Sequence, residues 1–159
     1  MEYINLNKSI ESGKVIMVFV EGTILKPKHW YTLYNHNSYI PIGRSVEIIN
    51  NWKNQGASII YITSRKGKQA KEISNILIKH GFCQTSLVCR SEGEKYSDII
   101  EEICPDILIE DDCRSIGGAW QMCITHVKPE IKDKILTIVV KEFKGIDELP
   151  KSVLDFDKT

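Results

Sequence analysis

Four short stretches of this chain carry side chains suited to phosphate chemistry: Glu21-Gly22-Thr23, Thr63-Ser64-Arg65, Lys95 just ahead of a helix-like segment, and Asp111-Asp112. Together they offer a carboxylate, a pair of hydroxyls, an amine and two further acids. Mg²⁺ prefers oxygen ligands, typically one or two carboxylates completed by phosphate oxygens and water. A lysine with hydroxyl or amide donors can hold the remaining phosphate oxygens. Taken singly, each of these residues is equally at home in an ordinary polar turn. Their order along the chain is what points to a phosphate with a divalent metal.

For the four stretches to meet, the elements before them must end on one side of the molecule. Short apolar runs at 15–20, 58–63, 86–89, 106–110 and 135–140 read as strands, and their near-continuous apolar character predicts a sheet covered on both faces. Helix-like segments lie between them. Residues 45–56 place Val46, Ile49 and Trp52 on one face, with Ser45 as the expected N-cap and Gly56 as the stop. Residues 68–81 repeat the pattern with Ile73, Ile76, Leu77 and a closing Gly81, and residues 95–104 supply a third helix before Pro105. Alternating strands and helices predict an α/β fold with a parallel, Rossmann-like sheet sandwiched by helices. With no repeat, low-complexity tract or linker in the sequence, residues 1–159 are expected to form one domain. In such folds ligands bind beyond the carboxyl ends of the strands, which is where the four stretches fall.

Composition narrows the function classes. The chain has 21 Lys+Arg against 21 Asp+Glu, so its formal net charge is zero, and the scattered basic residues offer no patch for a nucleic-acid polymer. No apolar run approaches the roughly 20 residues that cross a bilayer, and residues 1–14 are polar and contain acids, so a cytoplasmic protein without a membrane partner is expected. Five cysteines without a CxxC pair indicate reduced thiols, several of them buried, rather than a disulfide framework or a zinc site. The four histidines, His29, His36, His80 and His126, lie far apart in sequence, and surface or structural roles are expected for each.

The ordered stretches resemble the motifs of the haloacid dehalogenase (HAD) superfamily, whose members are mostly Mg²⁺-dependent phosphohydrolases with a Rossmann-like sheet. The resemblance runs from about residue 14 to 145. The first family motif, DxDGT, corresponds to Phe19-Val20-Glu21-Gly22-Thr23, the second to Thr63, the third to Lys95 with Lys68 as a weaker match, and the fourth to Asp111 and Asp112. The resemblance implies a small-cap phosphatase ancestry, with Asp111, Asp112 and Glu21 toward the metal. It further implies Gly22, Thr23, Thr63, Ser64 and Lys95 on the phosphate, and Glu21 with Lys95 in catalytic positions.

The first motif departs from the family at its first residue. There the resemblance places an aspartate that attacks phosphorus and ligates Mg²⁺, and this chain has Phe19. A phenyl ring offers neither a nucleophile nor a lone pair. Loss of a catalytic nucleophile costs on the order of 10⁶ in turnover, or about 8 kcal/mol of barrier. Glu21, in the place of the second aspartate, keeps proton-transfer chemistry but reaches one methylene further.

Residues 26–44 stand where the family inserts caps, and are too short for a full cap domain. This flap carries His29, Trp30, Tyr31, Tyr34, His36 and Tyr39, which either stack on a ligand or partner or pack on the sheet end. Arg65 and Arg114 are candidate anion clamps. Cys113 to Gly118 is either a second anion nest or a loop bend. Trp120 and Met122 are expected in the core. Three readings follow: a pseudoenzyme binding a phosphorylated small molecule with weak Mg²⁺, an active Mg²⁺-dependent phosphatase or nucleotidase of altered chemistry, or a module that grips a protein partner or a second copy through the flap.

Overall fold

The computed structural model describes residues 13–32 and 35–158; Tyr34 of the flap lies outside the described residues. Strands β1 (Val15–Phe19), β4 (Ser58–Ile62), β5 (Ser86–Val88), β6 (Ile107–Asp111) and β7 (Leu136–Val140) form one sheet in the order β5-β4-β1-β6-β7. Every pairing in it is parallel. Strands β2 (Leu25–Pro27) and β3 (Tyr39–Pro41) pair antiparallel as a separate ribbon within the flap. Helices α1 (Ser45–Asn54), α2 (Gly67–Lys79) and α3 (Tyr96–Ile103) fill the connections, with a short α4 (Pro129–Lys132) ahead of β7.

Alternation along β1 divides the core. Ile16, Val18 and Val20 join Ile48, Ile49 and Trp52 of α1 and Ile73, Ile76 and Leu77 of α2 on one face. Met17 turns to the other face with Ile99 and Ile100 of α3, Leu108 and Met122, and Phe19 packs against that group. A period of two is what a pleated strand buried on both sides requires. The expectation of cover on both faces holds for β1, β4 and β6, whereas the sheet-edge strands β5 and β7 are only partly buried.

Two expectations about α1 need correction. Ser45 is the first helical residue rather than the cap: it is fully buried, and its hydroxyl donates to the Ile24 carbonyl at 3.3 Å. Arg44 holds the cap position. Ile48 rather than Val46 is the buried residue beside Ile49 and Trp52. The Trp52 indole donates to the Pro150 carbonyl at 2.9 Å and its ring meets Phe156 edge-on, which ties the C-terminal segment to this face. Among the described residues no helix is long and apolar enough to cross a membrane.

Candidate functional site

Because β1, β4, β5 and β6 are parallel, the chain leaves each of them at the same edge of the sheet. In register, Phe19 stands opposite Ile62, and Ile62 opposite Val88. The loops after these strands therefore bring Glu21, Thr63, Ser64, Arg65 and Arg90 to one crevice.

On the β4 side the crevice closes on Glu21. The Thr63 hydroxyl donates to Glu21 Oε1, the Ser64 amide reaches Oε2 at 3.4 Å, and Arg65 Nε lies 3.8 Å from Oε1. Thr63 Oγ1 also accepts from the Arg65 amide at 3.1 Å. Burial pushes the Glu21 carboxyl above its ordinary value, against the opposing pull of Thr63, Ser64 and Arg65. The donors expected on a phosphate thus serve an internal carboxylate.

On the β6 side the carboxylate is Asp111. Its Oδ1 accepts from the buried Thr23 hydroxyl at 3.1 Å and its Oδ2 from the Cys113 amide at 3.0 Å. Cys113 adopts φ +51 to present that amide, a left-handed conformation that costs a non-glycine residue energy. Gly22, at φ +85, backs the same group: a Cβ there would lie 2.9 Å from Asp111 Oδ1. Only glycine combines that conformation with that clearance. Burial raises the Asp111 carboxyl, and the negative charge of Glu142 adds to the rise.

Asp112 turns elsewhere, accepting from the Glu142 amide at 3.2 Å beyond β7. Glu21, Asp111 and Asp112, the expected metal ligands, are therefore each engaged with separate protein donors. Among the described residues no group of three His, Cys, Asp or Glu side chains is arranged to hold a metal ion. Phe19, at the position where the family resemblance places a metal-binding aspartate, offers no donor atom.

Phe19 ends β1 with its ring edge-on to Tyr96, at a centroid distance of 5.6 Å. The guanidinium of Arg90 covers the Tyr96 face, 4.1 Å from its centroid, and burial pushes the Tyr96 phenol up to about 12. Lys95, expected on the phosphate, is exposed at the start of α3, where its backbone amide donates to Asp98 Oδ2 at 2.9 Å. Arg90 and Tyr96 are the residues that motif matching passes over. Arg90 stands two residues beyond β5, so the strand-end rule points to it as much as to Thr63.

In the flap, Trp30 and Tyr31 are 88% and 66% exposed, whereas Tyr39 is buried. Tyr39 thus packs within the protein, while Trp30 and Tyr31 do not. Trp120, expected in the core, is 70% exposed and stacks edge-on with His126, while Met122 is buried as expected. Cys113 to Gly118 is a loop bend, since the amides of Ile116 and Gly118 both return to the Cys113 carbonyl, and Arg114 is exposed. All five cysteines are free, but only Cys123 is fully buried.

The sheet order, crossovers and strand-end crevice define a HAD-type phosphatase fold. The class C acid phosphatase of Bacillus anthracis with tungstate bound superposes with a TM-score of 0.58 at 17% identity, covering 92% of this chain and 77% of that one. A second structure of the class C acid phosphatase from that organism gives 0.56 at 17% identity, over 92% and 78%. The D,D-heptose 1,7-bisphosphate phosphatase of Burkholderia thailandensis gives 0.49 at 11% identity, over 82% and 94%. No curated protein matches the chain. Within that fold the chain belongs to the LNS2 domain family of PITM 1-3, whose family model matches residues 17–102. The match takes in Phe19, Glu21, Thr63, Arg65, Arg90 and Tyr96 and stops short of Asp111.

Proposed function

We propose that this chain is a phosphatase-fold binding domain: it takes a phosphorylated small molecule at the carboxyl ends of β1, β4 and β5 and does not turn it over through an aspartyl-phosphate. Phe19 carries this reading. It ends β1 where the family resemblance places the nucleophile, and its ring packs on Tyr96. Carbon alone cannot attack phosphorus. No step of the reading runs through magnesium.

A second reading, hydrolysis by direct attack of water, has one observation in its favour. The raised Glu21 carboxyl retains its proton further up the pH scale than an ordinary glutamate, as a proton donor to a leaving group must. The exposed Trp30 and Tyr31 favour in turn a flap that meets a partner.

Phosphate release from a panel of phosphomonoesters, measured for the natural chain and for Phe19→Asp with and without Mg²⁺, separates the first two readings. The binding-domain reading expects silence from the natural chain. Release that disappears in Glu21→Gln would replace it with the hydrolytic one.

A further inference from the structure

The crevice holds two guanidinium groups on its β4 and β5 side, one of them beside Glu21, a residue that the family resemblance places toward a metal. Arg65 follows β4 and Arg90 follows β5, strands that are adjacent and parallel. Both side chains are anchored on residues of the crevice itself, Arg65 by its ion pair with Glu21 and Arg90 by the face of Tyr96, which forms a T-shaped pair with Phe19. In both, Nε is buried without a hydrogen bond, that of Arg65 standing 3.8 Å from Glu21 Oε1. Burying a donor without a hydrogen bond is unfavourable, and an anion between the two strand ends would supply the acceptor that both Nε atoms lack.

The charge is also appropriate. Two guanidiniums supply as much positive charge as one Mg²⁺, cannot be deprotonated in a protein, and match the planar oxygen pairs of a phosphate. They need no carboxylate ligands, so replacing the metal-binding aspartate by Phe19 costs such a site nothing. Phe19 and Tyr96 instead form the apolar wall that places Arg90.

We propose that Arg65 and Arg90 together form a metal-independent clamp for a phosphate monoester dianion, substituting for the divalent cation of the ancestral site. The proposal rests on the anion-binding reading above and assigns its positive charge. Glu21, already paired with Arg65, acts as an internal anion that the ligand must displace, so its neutralisation strengthens binding.

The test is calorimetric titration of the full chain with inorganic phosphate and with phenyl phosphate, in EDTA and again in Mg²⁺. Binding is expected to be equal in the two buffers and weakened about tenfold or more by Arg65→Gln and by Arg90→Gln. The milder Arg65→Lys and Arg90→Lys, checked for unchanged thermal unfolding, are expected to weaken it as well, because an ammonium cannot make the forked contact. Lys128→Gln removes a cation whose partner is Glu101, outside the crevice, and is expected to leave binding unchanged. Tighter binding by Glu21→Gln completes the expected pattern. Binding that appears only with Mg²⁺, or that survives both arginine substitutions, overturns the clamp while leaving the binding-domain reading in place. Absence of binding in both buffers overturns the two together.

Discussion

The two sides of the crevice have diverged in kind. Toward β6 and β7 it is acidic and closed: Asp111 has both oxygens satisfied by Thr23 and Cys113, and Asp112 and Glu142 lie beyond it. Toward β4 and β5 it is basic: Arg65 and Arg90 each bury an Nε without a hydrogen bond, Arg65 faces Glu21 at 3.8 Å, and Lys95 is exposed. A saturated carboxylate holds loops in place, while the proposed clamp gives the guanidiniums a ligand to take up. The difference teaches that residues matching an acidic motif can each be bound up in holding the fold, whatever the neighbouring residues do.

If that division is right, substitutions on the acidic side act mainly on stability. Asp111→Ala strands the buried Thr23 hydroxyl and the Cys113 amide, and is expected to cost about 2–5 kcal/mol in denaturant unfolding. Glu110, one residue earlier, belongs with it. Its buried carboxylate accepts the amides of Cys123 at 2.7 Å and Ile124 at 3.0 Å, and Glu110→Ala is expected to cost a similar amount. Gly22→Ala is expected to cost about 1–3 kcal/mol, from its positive φ and from contact with Asp111. A stability loss from Arg90→Gln as large as that from Asp111→Ala would erase the contrast.

The smallest effect is on pH dependence. Burial raises the carboxyls of Glu21, Glu110 and Asp111 above their ordinary values of 4.5, 4.5 and 3.8. A group that binds its proton more tightly when folded stabilises the fold fully below its ordinary value. That contribution is lost as pH rises through the raised value. Unfolding free energy measured from about pH 4 upward should therefore contain a falling component, and Glu21→Gln should flatten the part due to Glu21.

Much of the fold was legible because β1, β4 and β6 are apolar on both faces, a signal that survives without any tertiary information. Helix α2 read equally well, since Ile73, Ile76 and Leu77 fall on one face at helical spacing. The cap of α1 misled because a serine at a helix start usually caps, whereas burial here turned Ser45 toward the Ile24 carbonyl. Trp120 misled because a large aromatic is usually buried, and its loop leaves it outside. At the site, the residue types after β1, β4 and β6 were legible, but their pairing was not. That Thr63 serves Glu21, and Thr23 serves Asp111, depends on which strands are neighbours. Arg90 was hidden because attention to acids and hydroxyls passes over a cation after the shortest parallel strand.

The central claim is a crevice that binds a phosphate monoester and leaves its ester bond intact. Following the ³¹P signal of phenyl phosphate with stoichiometric natural protein, with and without Mg²⁺, tests binding and turnover together. The account predicts a broadened or shifted ester signal, in either buffer, with no growth of inorganic phosphate. Accumulation of inorganic phosphate that requires Mg²⁺ and disappears in Asp111→Asn would contradict it, and would return the acidic side of the crevice to catalysis.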